Sequence, residues 1–117
     1  VAELIVGVKR EANFGLALVI GAGGMLVELL HDSSSLLLPT TPESVKAAVE
    51  SLKVYKLMSG FRGRAAGDIE ATVDAIMAIA KYAEEHAKVI SELDVNPLLV
   101  LENGVMAVDA LVCIADQ

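Results

Sequence analysis

The chain has 117 residues, a formal net charge of -7, 55% hydrophobic residues and only 3% aromatics. That length and composition suit one folded domain with an aliphatic core and argue against disorder. The acidic balance argues against a nucleic-acid partner, whose phosphates need a basic surface, but not against a nucleotide whose phosphates are bridged by magnesium.

Taken in chain order, Leu4, Ile5, Val6 and Val8 read as a strand ending at Lys9 and Arg10. Glu11 to Gly15 reads as a turn, because Asn13 and Gly15 supply turn chemistry. A second strand is expected over Ala17 to Ile20, a tight loop over Gly21 to Gly24, and a third strand over Met25 to Leu30. The apolar run from Leu16 to Leu30 is too short to cross a bilayer and is broken by three glycines, so no membrane span is read there. No basic segment precedes it, and no signal peptide is read. The chain opens in a strand-like run without Met, so residues 1–117 read as a single subdomain of a longer protein. Asp32 to Ser35 reads as a turn into a short fourth strand, Leu36 to Leu38.

The hydrophobic period then changes. Thr41 followed by Pro42 is a helix-start signature, and Val45, Ala48, Val49 and Leu52 share one face of a helix ending near Lys53. Residues 54–67 read as irregular, with glycines at 60, 63 and 67. Asp68 reads as the cap of a longer helix to about His86, with an apolar stripe of Ile69, Val73, Ile76, Ile79 or Ala80, and Ala83. The last thirty residues return to strand periodicity. Strands, two helices and a hairpin predict an α+β fold: a mainly antiparallel sheet with helices packed on one face. The single cysteine, Cys113, lies in an apolar run and reads as core. With no disulfide possible within the chain, a reducing, cytoplasmic setting is expected.

The C-terminal hairpin holds the candidate chemistry. From Glu92 to Leu101, Leu93, Val95, Pro97, Leu99 and Leu101 point one way while Asp94 and Asn96 point the other. Asn103-Gly104 favours a two-residue type I′ turn. That turn pairs Glu102 with Val105, sets Leu98 opposite Asp109, and sets Asn96 opposite Leu111. Met106, Val108, Ala110, Val112 and Ile114 then share the core face. In this register Asp94, Asn96 and Asp109 lie on one side of the sheet, with Asn96 and Asp109 as diagonal neighbours roughly 5–8 Å apart between β-carbons. Two carboxylates and an amide carbonyl are hard oxygen ligands suited to magnesium. A solvated polar face is the bland alternative. Asp109 weighs against it, because it interrupts an otherwise apolar strand.

At these residues the chain resembles a family. Leu93-Asp94-Val95-Asn96-Pro97-Leu98, then Asn103-Gly104, then Val108-Asp109-Ala110 is similar to the magnesium-site hairpin of succinyl-CoA synthetase β subunits and ADP-forming acyl-CoA synthetases. Upstream, Glu3 to Arg10, Asn13-Phe14-Gly15, Gly23-Gly24, Val27-Glu28, Gly60-Phe61-Arg62-Gly63 and Asp68-Ile69 fall in the same order. Ala65-Ala66-Gly67 departs from it, since the acyl-CoA branch usually has a proline there. The resemblance is to the C-terminal subdomain of the ATP-grasp fold. It implies Asn96 and Asp109 as ligands of magnesium, with Asp94 beside them, and a nucleotide (ATP or ADP) reached by Gly23, Gly24 and Glu28. It implies a parent ligase that joins an acid to CoA with ATP, releasing ADP and phosphate, through an acyl phosphate and a phosphohistidine. It further implies two partners: the N-terminal ATP-grasp subdomain and a CoA-binding domain that carries the reactive histidine. The chain alone is then expected to be catalytically silent. A regulatory ATP-grasp module of a protein acetyltransferase, and an interaction domain without ligand, are the alternatives.

Other motifs are weaker. Gly21-Ala22-Gly23-Gly24 resembles the start of a dinucleotide fingerprint, but Leu26 stands where its third glycine belongs. Gly23 and Gly24 could be a plain turn, and Glu28 an exposed acid on a strand. Lys9 and Arg10 read as solvating a strand end, and His31 and His86 do not match the reactive histidine. Arg62 sits in a glycine-flanked loop that could reach a phosphate or a neighbouring domain.

Overall fold

The structure, a computed structural model, describes residues 1–11, 15–23 and 32–114. The expected third strand over 25–30 lies outside the described residues, as do Asn13, Phe14, Gly24, Glu28 and His31.

Strand β1 (Ala2–Glu11) runs through the middle of an antiparallel sheet. It pairs on one side with β2 (Gly15–Ala22), which in turn pairs with β3 (Ser33–Leu37), and on the other side with β4 (Ile90–Val100). Two short strands, β5 (Val105–Ala107) and β6 (Ala110–Ile114), share the far side of β4. Alternation decides the faces, because successive side chains in a strand point to opposite sides. Leu4, Val6 and Val8 of β1 are buried together with Leu16, Leu18 and Ile20 of β2. Ile5, Gly7 and Lys9 point the other way. The serines 33–35, expected in a turn, are strand: they pair with Val19, Ile20 and Gly21 of β2.

The helices cover the Leu4–Val6–Val8 face. Helix α1 (Pro42–Glu50) begins where the side chain of Thr41 accepts the Ser44 N–H at 3.2 Å, and buries Val45, Ala48 and Val49. Residues 54–67, expected to be irregular, contain a one-turn helix, α2 (Tyr55–Met58), and a 3-10 turn at Phe61–Gly63. In that turn Arg62 has φ 57° between Gly60 and Gly63, whose φ values are 89° and 74°. The connection into α2 is organised by Asp32, a nearly buried carboxylate that accepts the N–H groups of Lys53 at 2.7 Å and Val54 at 2.8 Å. Helix α3 (Ile69–Glu85) is capped by Asp68, which accepts the Ala71 N–H at 3.0 Å. It buries Thr72, Val73, Ile76, Ala80 and Ala83. Burying each large aliphatic side chain of this core contributes about 1.5–3 kcal/mol, and the core is continuous from α1 and α3 into all the inner strands.

The hairpin differs from its expected form in three ways. First, β4 advances three residues, Val95 to Leu98, while β1 advances two, Val6 to Leu4. This bulge at Asn96–Pro97 resets the alternation, so Leu93, Val95, Leu98 and Val100 face the core in place of Pro97, Leu99 and Leu101. Second, the turn is longer: Val100 pairs with Val105, and only Gly104 of the Asn103-Gly104 pair has positive φ (89°), so the I′ turn does not form. The pairing is displaced by two residues, with Leu98 opposite Ala107 and Asp94 opposite Leu111. Third, the second strand is an interrupted, exposed edge. Met106, Val108, Val112 and Ile114 are exposed and Cys113 is half-buried, so none of these forms a core row.

Candidate functional site

The face of the sheet opposite α1 and α3 carries the site. Registers put its side chains in cross-strand rows. One row runs Ser35, Val19, Gly7, Asp94, Leu111 from β3 to β6. The next runs Ser33, Gly21, Ile5 and then meets the β4 bulge, where Asn96 faces Asp109.

That last pairing sets the site. The Asn96 N–H donates to the Asp109 carbonyl at 3.1 Å, and the Val108 N–H donates to the Pro97 carbonyl at 3.0 Å. These bonds bridge the gap between β5 and β6 and hold Asn96 and Asp109 directly opposite each other, where the expected register made them diagonal neighbours. Asp94, Asn96 and Asp109 line a recess of about 200 Å³ with Ala110 and Leu111. Asn96 and Asp109 are exposed and Asp94 is half-buried. One Asp109 oxygen, Oδ1, accepts the N–H of Ala110 at 2.9 Å, which orients the carboxylate along its own strand.

Asp94 also borders a second hollow of about 250 Å³ over the middle of the sheet, floored by Ile5, Gly7, Val19 and Gly21, with Lys9 at its rim. Sequence reasoning missed Gly7 and Val19 as part of this surface. The available signal was a glycine on the outward phase of an alternating strand.

The donor set fits magnesium by its chemistry: two carboxylates and an amide oxygen, all hard ligands on one face. Among the described residues no cluster of three or more acidic, His or Cys side chains forms an all-protein cage.

The remaining sequence candidates sit elsewhere. Gly23 donates its N–H to the Glu3 carbonyl at 2.8 Å, and a β-carbon on Gly23 would lie 3.1 Å from that of Glu3, so packing accounts for this glycine. Arg10 donates to the carbonyls of Ala87 and, at 2.8 Å, Ile90, closing the turn after α3. Lys9 pairs with Glu11 at 3.8 Å in solvent, where such pairs contribute little. His86 stacks on Tyr82 at 4.3 Å, with Nδ1 2.8 Å from the Tyr82 carbonyl at the helix end. No helix among the described residues is long and apolar enough to cross a membrane.

Comparison with known proteins bears on this geometry. Residues 1–114 match the ATP-grasp domain family. The chain is 36% identical over 115 residues to ADP-forming acetate–CoA ligase I of Archaeoglobus fulgidus, covering 98% of this chain and 17% of that protein. It is 35% identical over 106 residues to the β subunit of ADP-forming acetate–CoA ligase II of Pyrococcus furiosus, covering 91% of this chain and 45% of that one. A solved structure of the dinucleotide-forming acetyl-coenzyme A synthetase 1 of Ca. Korarchaeum cryptofilum superposes with a TM-score of 0.90 at 35% identity, covering 97% of this chain and 53% of that chain. That structure is a complex with coenzyme A and Mg-AMPPCP, its phosphohistidine segment pointing towards the nucleotide-binding site. The chain therefore spans about half, or less, of the proteins it matches.

Proposed function

The chain belongs to the ATP-grasp domain family, and from that premise we propose that it supplies the magnesium- and nucleotide-facing half of the site in an ADP-forming acyl-CoA synthetase. The whole protein would convert an acid, CoA and ATP to acyl-CoA, ADP and phosphate, by way of a phosphohistidine and an acyl phosphate. The ligase names of the relatives favour this reading over a regulatory module of an acetyltransferase. A cytoplasmic location belongs to the same reading.

The observation that carries it is the pairing of Asn96 with Asp109 on the face of the sheet opposite α1 and α3, with Asp94 in the same recess. In this role the Asn96 carbonyl oxygen and the Asp109 carboxylate hold magnesium, and Asp94 assists. Magnesium, when bound, neutralises charge on the nucleotide phosphates and aligns them for transfer. The chain's own contribution is positional. The backbone bond from the Asn96 N–H to the Asp109 carbonyl sets the two residues opposite each other, and the Asp109–Ala110 hydrogen bond limits the carboxylate's rotation. The hollow over Ile5, Gly7 and Val19 offers the ligand a surface beside these oxygens.

An ATP-grasp site is a cleft between two subdomains, and the other subdomain and a CoA-binding portion with its reactive histidine are the partners proposed. That this chain spans 45% of a β-subunit relative supports them. The experiment is titration of Mg-ATP into the full-length protein and its Asn96→Ala and Asp109→Ala variants. We expect at least tenfold weaker binding in each variant with little change in thermal midpoint, since both side chains are exposed. Wild-type affinity in both variants would remove the metal assignment.

A further inference from the structure

We propose that Gly7 serves the nucleotide site by what it lacks: the missing side chain lets the ligand lie directly against the sheet beside Asp94. The proposal rests on the nucleotide reading and adds a residue to it.

A glycine in the middle of a strand weakens it, through backbone entropy and lost packing, and needs a reason. Two reasons are usual. The backbone requires positive φ, or a neighbour leaves no room for a β-carbon. Gly15, Gly60, Gly63 and Gly104 have positive φ. Gly21, Gly23 and Gly67 are crowded: a β-carbon there would lie 3.1 Å from the Asp32 carbonyl oxygen, 3.1 Å from the Glu3 β-carbon and 2.6 Å from Val100 Cγ1 respectively. Gly7 alone among the described glycines meets neither condition. Its φ is ordinary, and a β-carbon would come no closer than 3.5 Å to any atom, the nearest being Asp94 Oδ1 and the Leu93 carbonyl oxygen. That is normal van der Waals contact.

The remaining reasons for a strand glycine are a bulge and close approach by something outside the strand. The extra residue of the nearby bulge lies on β4, and Gly7 itself pairs in register with Val19 and Asp94, which leaves close approach. Gly7 has the position for it. It sits between Val19 and Asp94 in one cross-strand row of the central strand, on the face opposite α1 and α3, which no described residue covers over the hollow. It floors the 250 Å³ hollow, and Asp94 is common to that hollow and the recess of Asn96 and Asp109. A nucleoside phosphate anchored through magnesium at Asn96 and Asp109 reaches the rest of the sheet by passing over this row. A branched side chain at position 7 would stand in its path.

The test uses Gly7→Ala and Gly7→Val in the full-length protein, with ligand-free thermal melting and calorimetric titration of Mg-ADP. Valine suits a strand and alanine fits the space. We expect Gly7→Ala to melt at or above the wild-type temperature. We expect Mg-ADP affinity to fall at least tenfold in Gly7→Val, with alanine intermediate. A structural glycine would move both readouts together. Unchanged affinity in Gly7→Val overturns the role of Gly7 while leaving the nucleotide site standing. An alanine variant that melts several degrees lower assigns Gly7 to packing and also overturns it. Absence of saturable Mg-ADP binding by the wild-type protein overturns both readings.

Discussion

Asp68 and Gly104, separated by 36 positions in the chain, are joined by a hydrogen bond from the Gly104 N–H to Asp68 Oδ2 at 2.7 Å. The other oxygen, Oδ1, accepts the Ala71 N–H at 3.0 Å, and the Asp68 N–H donates to the Leu101 carbonyl at 2.8 Å. One residue therefore caps α3 and fastens the turn between β4 and β5. The N–H groups of Ala71 and, second, Gly104 hold the Asp68 carboxyl below the usual aspartate pKa, against the smaller opposing effect of burial.

A depressed carboxylate pKa makes stability depend on acidity. Unfolded Asp68 holds its proton up to the ordinary value of about 4, whereas folded Asp68 releases it at a lower pH. The contribution is thus fully present above about pH 4 and is lost as pH falls through the folded value. The thermal midpoint of the wild-type chain should fall more steeply from pH 5 to pH 2 than that of Asp68→Asn. The gap between the two should narrow toward the acid end. Parallel curves would mean that Asp68 does not carry the linkage.

Asp32 gives a second test. Its oxygens satisfy two backbone N–H groups, those of Lys53 and Val54, and its own carbonyl accepts the Ala22 N–H at 2.9 Å. Asp32→Ala strands those donors in a nearly buried place and should cost about 2 kcal/mol or more. Urea unfolding should show a lower midpoint with an unchanged slope. Asp32→Asn, which keeps one acceptor oxygen, should lose less.

These two carboxylates also mark what the sequence could and could not disclose. The caps at Thr41 and Asp68 are local signals, and α1 and α3 begin where those signals stand. The grouping of Asp94, Asn96 and Asp109 on one face was legible for a different reason. The pairing is two residues away from the expected register, and a shift of two preserves the face. The bulge at Asn96–Pro97 and the longer turn were not legible, because they answer to distant partners: β1 across the sheet, and Asp68 at the start of α3. Nor was the exposure of the second strand. Its apolar alternation matches a core strand, but only Val105 at its start packs against the core, while Met106, Val108, Val112 and Ile114 stay exposed. Strand β3 was misplaced because a run of serines resembles a turn until β2 lies beside it.

That exposed edge predicts behaviour in solution. Met106 and Val108 are 55% and 57% exposed, and among the described residues β5 and β6 pair only with β4. An apolar edge without a partner invites association, which charged residues suppress. Val108→Lys should change the stability of the chain by no more than about 0.5 kcal/mol. It should also lower concentration-dependent light scattering. Unchanged scattering would mean that association, if present, uses another surface.

Gly67 is the counterpart of Gly7, a glycine that packing does require. A β-carbon there would lie 2.6 Å from Val100 Cγ1 and 3.4 Å from Val1 Cγ1, and Val100 is fully buried at the end of β4. The Gly67 N–H also donates to the Met58 carbonyl at 2.7 Å, which ties the loop down and prevents it from retreating. Gly67→Ala must therefore push Val100 from its place, at a cost of about 1–3 kcal/mol. Because the cause is one pairwise clash, it can be isolated. Shortening Val100 to Ala removes the obstructing methyl, so the double variant Gly67→Ala, Val100→Ala should be more stable than the sum of the single changes implies, with a coupling of at least about 0.5 kcal/mol in urea unfolding. Strict additivity would show that Val100 does not receive the strain and that the loop moves instead.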